Sequence, residues 1–293
     1  MEVSDPASAL RSDSVTRPGV QLHFTIDGTS GPYALILSGG PGEEVASMHG
    51  VAEHLRAQYR CIMLEQRGTG RSKLARVDAS TINLQACIED VEAVRNHLDA
   101  GKIILVGNSW GMMLALAYAG THPDSVQAIV TLGSGPITIK YLHVFIDNQV
   151  SRLAPSDLES IAVWTEAAQQ PETAEQAQFE ITRAIAPAYF YDRAKALRYA
   201  AKLKPTDVHP EVTPAFLQAE AALDLRPLLK SITAPVLLLQ GRQDIAGEAN
   251  LYETHLLIKN SQLTFIEKCG HMPWLEQPEE TWKITDAFLA RAV

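Results

Sequence analysis

The chain has 293 residues, of which 46% are hydrophobic, and its 25 basic and 34 acidic side chains give a formal net charge of −9 at pH 7. An acidic chain without a basic run argues against nucleic-acid binding, because contacts to phosphates need clustered Lys and Arg. Its apolar runs are far shorter than the roughly 20 residues that cross a bilayer, and its N-terminus lacks an apolar stretch of signal-peptide length. We therefore expect no nucleic-acid or membrane partner and a cytoplasmic location.

Seven short apolar runs are typical of strands, and they occupy 22–26, 33–39, 61–66, 102–107, 126–133, 235–241 and 263–267. Most of those from residue 33 onward are continuous rather than alternating, which suits strands buried on both faces of a parallel sheet. Helical patterns over 81–100 and 109–123 separate several of them. Alternating strands and helices predict an α/β fold with a mostly parallel sheet.

The alternation stops after Pro136 and resumes near residue 231. The stretch between contains repeated prolines and no strong strand run, which predicts a helical insertion over 137–230 within one α/β core formed by 19–136 and 231–293. Residues 1–18 are expected to be poorly ordered. Nothing in the sequence indicates the oligomeric state.

Cysteine usage argues against both a disulfide framework and a zinc site. The three cysteines, Cys61, Cys87 and Cys269, are odd in number and widely spaced, and none belongs to a CxxC pair. Acidic pairs such as Glu43 and Glu44 have no His or Cys at ligand spacing. We expect neither a metal nor a cofactor.

The stretch "GNSWG" places Ser109 between an apolar strand run and a helical run rich in small residues. It fits G-x-S-x-G, in which glycines relieve the crowding of a tight strand-to-helix turn that exposes a nucleophilic serine. Because a serine hydroxyl is a weak nucleophile, it needs a base, and the base needs an orienting carboxylate. In this architecture these partners follow in the order Asp, then His.

Asp244 and His271 provide that order, because each follows a strand run and 27 residues separate them. Loops at the carboxyl ends of parallel strands converge, which is the usual place for a site in such a sheet. An oxyanion on the substrate also needs donors. The glycine-rich "SGGPG" offers the backbone N–H of Gly40, and the residue after the serine offers that of Trp110.

Four motifs together resemble the α/β-hydrolase fold, and more narrowly its proline iminopeptidase-like group of serine hydrolases. They are "SGGPG", "EQRGTGRS", "GNSWGMMLALAYAGTHPDSV" and "CGHMPWLEQPEE", which compare with HGGPG, DQRGxGxS and GxSWG followed by a Leu-Ala-Leu-Ala-Tyr helix in that group. The resemblance implies Ser109 as nucleophile, His271 as base and Asp244 as its partner. It also implies a doubly wound sheet and a helical cap over the site at 137–230.

The sequence departs from the group's pattern at several positions. Ser38 replaces the usual His, and Glu65 replaces the usual Asp. The group's iminopeptidases hold the substrate's free α-amine with carboxylates, including a cap glutamate. The corresponding tract here is "APAYFYD", which places Ala186 at that position, and Ile245 is apolar where some members carry a second glutamate. Another acid can take this role, and Glu43, Glu180 and Glu220 are the candidates.

Two kinds of hydrolase remain open at this stage, together with a non-enzymatic reading. The first is an aminopeptidase-like amide hydrolase that releases N-terminal proline. The second is an esterase, lactonase or amidase with an apolar pocket and no recognition of a free amine, for which Tyr189 and Phe190 are candidate lining residues. A non-catalytic ligand-binding protein of the same fold is the third reading, although all three triad members are present. The expected partner is a small molecule or short peptide.

Overall fold

The computed structural model describes residues 10–293. Within that range eight strands form one sheet, in the order β1-β2-β4-β3-β5-β6-β7-β8. They are β1 Arg11–Arg17, β2 Val20–Asp27, β3 Tyr33–Leu37, β4 Arg60–Leu64, β5 Ile103–Ser109, β6 Val126–Ser134, β7 Val236–Gly241 and β8 Ser261–Ile266. From β4 to β8 all neighbours pair in parallel, whereas β1 and β2 run antiparallel at one edge. The predicted mostly parallel sheet is confirmed.

The helices follow the strands as the alternation of the sequence predicted. They are α1 His49–Leu55, α2 Leu84–His97, α3 Trp110–Thr121, α4 Ile139–Ser151, α5 Pro155–Ala167, α6 Ala174–Ile185, α7 Arg193–Ala200, α8 Val212–Ala219, α9 Arg226–Leu229, α10 Glu248–Leu257, α11 Pro273–Glu276 and α12 Pro278–Ala292.

The sheet is covered on both faces, which explains why its central strands are apolar throughout. Leu35 and Leu37 point to one hydrophobic cluster, which α2, α3 and α10 cover. Ala34 and Ile36 point to the other, which α1 and α12 cover. The sheet is therefore doubly wound, and the carboxyl ends of its parallel strands meet at one edge.

The expectation of poor order before residue 18 is wrong for residues 11–17, which form β1; residues 1–9 of that expectation lie outside the described range. β1 pairs with β2 along its whole length, from Arg11 opposite Ile26 to Arg17 opposite Val20. Arg17 also pairs with Glu89 of α2, with 2.6 Å between Nη2 and Oε2. β1 is a polar edge strand held by backbone pairing, so it lacks the apolar run that marks the other strands.

The helices α4 to α9 lie between β6 and β7, in the stretch where the sequence predicts a cap. The chain leaves and re-enters the core at adjacent points, because the N–H of Leu225 donates to the carbonyl of Ile137 (2.8 Å). The cap also contacts the glycine-rich loop after β3. His209 N–H donates to the Gly42 carbonyl (2.7 Å), and the Thr213 hydroxyl donates to the Pro41 carbonyl (2.6 Å).

Candidate active site

Ser109 lies at the turn from β5 into α3, with φ 55° and ψ −118°. A non-glycine residue at positive φ costs about 1–3 kcal/mol and persists where surrounding structure enforces it. The flanking glycines are required by space: a Cβ on Gly107 would lie 2.3 Å from the Gly111 carbonyl oxygen, and one on Gly111 would lie 2.1 Å from that of Leu37. The sequence "GNSWG" therefore builds a strained turn that holds up the serine.

His271 and Asp244 meet after β8 and β7, respectively. Nδ1 of His271 lies 2.8 Å from Oδ1 of Asp244, and both residues are buried. The same carboxylate oxygen accepts the N–H of Ala246 (2.9 Å), which fixes its orientation. With Nδ1–H donating to the carboxylate, Nε2 of His271 is left as the acceptor. Within residues 10–293 that nitrogen has no hydrogen-bond partner, and His271 lines the same cavity as Ser109.

A cavity of about 880 Å³ lies between the core and the cap. It is lined by Ser109, His271, the two candidate oxyanion donors, Glu43, Tyr189 and Phe190, all of which the sequence predicted as site residues. Asp244 does not line it and contacts the far side of the His271 ring. Its walls are largely apolar, and they include Met113, Leu142, Phe145, Phe216, Leu217 and Leu223. Five of those six belong to the cap, which supplies most of the apolar wall.

The two candidate oxyanion donors belong to different segments, Gly40 to the glycine-rich loop after β3 and Trp110 to the start of α3. Gly40 has φ +103°, and a Cβ there would lie 2.5 Å from the nitrogen of Gly42, so only glycine fits. Trp110 is the first residue of α3, where a backbone N–H has no acceptor within the helix. Both residues line the cavity.

Of the three acids considered from the sequence, only Glu43 lines the cavity. Glu180 pairs instead with Arg183 on the same helix, with 3.1 Å between the charged atoms. Glu220 accepts the N–H of Leu84 (2.9 Å) at the start of α2. Sequence spacing did not distinguish these three acids, and the structure leaves only Glu43 in contact with the cavity.

The carboxylate of Glu43 lies beside the serine. A carbon placed as a Cβ on Gly39 would be 2.7 Å from Oε2 of Glu43 and 3.4 Å from Cβ of Ser109. One carbon atom would therefore contact both side chains. Ala186, where the group's cap glutamate was expected to fall, presents only a methyl group to the same cavity.

Burial raises the pKa of Glu43, because desolvation disfavours the charged carboxylate. The Ser47 hydroxyl, the charge on His271 and the Tyr199 hydroxyl act in the opposite direction, while the charge on Asp207 adds to the increase. The neutral form of this carboxyl is therefore more favoured than that of an ordinary glutamate, and a cation beside it would favour the charged form instead.

Tyr189 and Phe190 line the cavity and also hold its frame. The carbonyl of Tyr189 accepts the N–H of His271 (2.7 Å), and its hydroxyl accepts a hydrogen bond from Gln149 (2.9 Å). Phe190 is 6% exposed and packs on Tyr199, with ring centroids 5.3 Å apart. Phe190 is therefore mainly a packing residue of the cap.

Glu276 is a buried residue whose importance the sequence did not reveal. Its carboxylate accepts the N–H of Gly270 (2.6 Å), next to the histidine, and those of Tyr191 (3.0 Å) and Asp192 (2.9 Å) in the cap. One carboxylate thus joins the histidine loop to the cap. In the sequence it is one acid among several in "WLEQPEE", and no spacing rule distinguishes it.

Glu65, the second departure in the core motifs, takes a structural role. Its carboxylate pairs with the guanidinium of Arg71 in the same motif, with 2.7 Å between Oε1 and Nη2. Neither residue lines the cavity. The replacement of Asp by Glu therefore concerns the loop and not the substrate.

Within the described part of the chain, no group of three or more His, Cys, Asp or Glu side chains is arranged to hold a metal ion. No helix in that range is long and apolar enough to span a membrane. Cys61, Cys87 and Cys269 are buried free thiols, and burial raises the pKa of Cys61 and of Cys87 to about 12. Cys269 does not line the cavity, although it lies two residues from His271.

A sequence profile described as "alpha/beta hydrolase fold" matches residues 34–278. A proline iminopeptidase from Heyndrickxia coagulans is 26% identical over 270 residues, which cover 88% of this chain and 91% of that protein. A proline iminopeptidase from Neisseria meningitidis serogroup A is 37% identical over 121 residues, 39% of this chain and 36% of that protein. The resemblance drawn from the four motifs is confirmed.

Solved structures share the fold over nearly the whole chain. VinJ has a TM-score of 0.78 at 21% identity, covering 98% of this chain and 100% of its own. The proline iminopeptidase of Mycobacterium smegmatis has a TM-score of 0.73 at 20% identity, covering 96% and 98%. The esterase RhEst1 from Rhodococcus sp. ECU1013 has a TM-score of 0.70 at 22% identity, covering 97% and 100%. At these identities the likeness establishes the fold alone.

Proposed function

The chain belongs to the α/β-hydrolase fold family, and we propose that it is a serine hydrolase that releases an N-terminal residue, proline first among them, from a short peptide or small amide. The observation that carries this proposal is the position of Glu43. Its half-buried carboxylate lies beside Ser109, within the cavity that His271 also lines. The proline iminopeptidases among the similar proteins point in the same direction.

The proposed reaction uses the three residues in the order of a Ser-His-Asp triad. Oγ of Ser109 attacks the scissile carbonyl while Nε2 of His271 takes its proton, and Asp244 holds the imidazole at Nδ1. The N–H groups of Gly40 and Trp110 stabilise the oxyanion. The imidazolium then protonates the leaving amine, and a water molecule activated by His271 hydrolyses the acyl-enzyme. No cofactor is needed.

Glu43 gives the site its proposed preference for a free amine. In an aminoacyl substrate the amine is attached to the carbon next to the carbonyl, so it must lie close to the serine that attacks. A protonated amine beside Glu43 would form a charge-assisted hydrogen bond, which is stronger than a neutral one. The amine would also compensate for the desolvation that raises the pKa of this carboxylate.

An esterase or amidase acting on an apolar acyl group is the second candidate, and the cavity walls favour it. Phe145, Leu142 and Phe216 are apolar, and Ala186 provides no carboxylate from the cap. In this alternative Glu43 would be protonated and would only shape the cavity. The cytoplasmic location and the small-molecule or short-peptide partner stay predictions.

A substrate comparison separates the two candidates. The kcat/KM values of a proline arylamide, its N-acetylated form and a short-chain nitrophenyl ester are measured for the wild type, for Ser109→Ala and for Glu43→Gln, with Glu180→Gln as a carboxylate control outside the cavity. We expect the free-amine substrate to be preferred, and Glu43→Gln alone to remove that preference. Faster cleavage of the blocked amide or ester by the wild type would favour the second candidate. Equal rates for the wild type and Ser109→Ala on all three would overturn both.

A further inference from the structure

The Gln66 side chain, which the proposed mechanism does not use, is buried just after β4 and connects two separate loops. Its Oε1 accepts the indole N–H of Trp110 (2.8 Å). Its Nε2 donates to Ser38, both to the carbonyl oxygen and to the hydroxyl, at 3.1 Å each. Gln66 is 7% exposed, and Ser38 and Trp110 are 0% and 2% exposed. All polar atoms of one buried amide are therefore engaged.

The direction of each hydrogen bond in this network is fixed by chemistry. An indole N–H can only donate, so the oxygen of Gln66 must face Trp110 and its nitrogen must face Ser38. The Ser38 hydroxyl accepts from Gln66 and donates its own proton to the carbonyl of Glu43 (2.8 Å). A single chain of donors thus runs from Trp110 to Gln66, to Ser38 and to Glu43.

This chain spans the two candidate oxyanion donors. At one end, Ser38 and Glu43 bracket the glycine-rich turn that carries Gly40, and the hydroxyl of Ser38 closes that turn. At the other end is Trp110, whose own backbone N–H is the second donor. Gln66 therefore links the two segments that carry these N–H groups.

We propose that Gln66 is a positioning residue for the oxyanion site, and that Ser38, which replaces the group's usual His, completes the same network. This inference rests on the proposed function, because it assumes an oxyanion between Gly40 and Trp110. Donors stabilise a transition state when they are fixed at the place where charge develops. Loss of Gln66 leaves both N–H groups present and lets their separation vary.

The expected result is a loss in turnover and not in substrate binding. Removal of one donor outright lowers turnover by about 10²–10³-fold. A displaced donor costs less, so Gln66→Leu should lower kcat by roughly 10- to 100-fold with little change in KM. Trp110→Phe removes the indole N–H while keeping the backbone donor, and it should lower kcat in the same direction. Gln66→Leu combined with Trp110→Phe should lose little more than Gln66→Leu alone, since both act through one network.

The test measures kcat and KM on the best substrate. It also measures the rate at which a fluorophosphonate labels Ser109, because this rate depends on the oxyanion site and not on the substrate chosen. Gln85→Leu is the matched control, because it removes an exposed glutamine that donates to Glu89 (3.1 Å). Where Gln66→Leu fails to fold, Gln66→Glu and Trp110→Phe carry the test. Gln66→Glu keeps an acceptor for Trp110 and loses the donors to Ser38.

Each outcome has a separate meaning. Slower labelling and lower kcat in the Gln66 and Trp110 variants, with KM and the control unchanged, supports the positioning role. A labelled wild type with an equal labelling rate in Gln66→Leu overturns the positioning role and leaves the serine hydrolase intact. A rise in KM with kcat unchanged also overturns it, because Gln66 would then act on binding. A wild type that neither turns over a substrate nor is labelled at Ser109 overturns the proposed function and this inference with it.

Discussion

Nδ1 of His271 and Oδ1 of Asp244 lie 2.8 Å apart in a site that buries both residues. A second His–Asp contact of similar length lies on the protein surface, where Nε2 of His54 is 2.9 Å from Oδ1 of Asp286. The two pairs have the same chemistry and differ in burial and in surroundings. Only the first pair adjoins a cavity that contains a serine in a strained turn.

This contrast gives the first prediction. Asp244→Asn preserves the shape of the carboxylate but places an amide beside Nδ1, which disfavours the tautomer that leaves Nε2 free to accept the serine proton. We expect kcat to fall by about 10³–10⁴-fold with the fold retained. Asp286→Asn is the matched control, and it should keep full activity. Steady-state kinetics of both variants check the prediction, and equal activity of the two would exclude a catalytic role for Asp244.

The second prediction concerns the pH dependence of amine recognition. The charged form of Glu43 is the one that binds a protonated amine, and burial raises the pKa of this carboxylate. As the pH falls from neutral, Glu43 therefore loses its charge earlier than an ordinary glutamate. We expect the ratio of kcat/KM for the free-amine substrate to that for its N-acetylated form to decline along the same range. In Glu43→Gln this ratio should be low and flat with pH. A wild-type ratio that stays constant down to pH 4 would contradict the role given to Glu43.

The third prediction concerns thermal stability, to which Glu43 should contribute less as the pH rises, whereas its contribution to amine recognition decreases as the pH falls. Because the pKa of Glu43 is higher in the folded chain than in the unfolded one, the protonated form is favoured by folding, and that benefit is lost as the pH rises through the folded pKa. At pH 8 Glu43→Gln should therefore melt slightly higher than the wild type, by roughly 1–3 °C. The difference should shrink below pH 5. Calorimetry at the two pH values checks this, and a variant that melts lower at pH 8 would show that Glu43 is stabilised by partners within the protein.

The strands and the order of the proposed triad were predictable from sequence for a physical reason. Strands buried on both faces need continuous apolar runs, and a turn as tight as that of Ser109 needs glycines at fixed positions. β1 was missed because an edge strand such as Arg11–Arg17 is held by backbone pairing and can be polar. A pattern of apolar side chains therefore cannot reveal such a strand, because the backbone hydrogen bonds that hold it leave no mark on the residue types.

The substrate side of the site was harder to predict because it depends on long-range packing. No feature of the sequence distinguishes the three candidate glutamates, Glu43, Glu180 and Glu220. Only the folded chain shows that Glu43 lines the cavity and that the other two bond to groups elsewhere. Gln66 and Glu276 lie within recognised motifs, but their roles arise from partners on other elements. Hydrogen bonds between distant segments leave no periodic signal.

Glu276 provides the last prediction, because three backbone N–H groups depend on its carboxylate. Glu276→Ala leaves the N–H groups of Gly270, Tyr191 and Asp192 without this acceptor, the first in a buried place and the other two in half-buried ones. One unsatisfied buried donor costs about 1–3 kcal/mol, and the two half-buried donors can bond to water instead, so we expect the free energy of unfolding to fall by about 1–3 kcal/mol. Glu276→Gln keeps one acceptor oxygen and should lose less. Since Gly270 precedes His271, both variants should also lose activity before they unfold.

Denaturant unfolding and activity measured at one temperature distinguish these two effects. Glu279→Ala is the control, because this neighbouring acid is exposed in the first turn of α12. If Glu276 joins the histidine loop to the cap, kcat of Glu276→Gln should fall while the protein is still fully folded, since the position of His271 depends on the loop. If Glu276→Gln unfolds more easily but keeps the kcat of the wild type, Glu276 stabilises the cap without setting the position of the histidine.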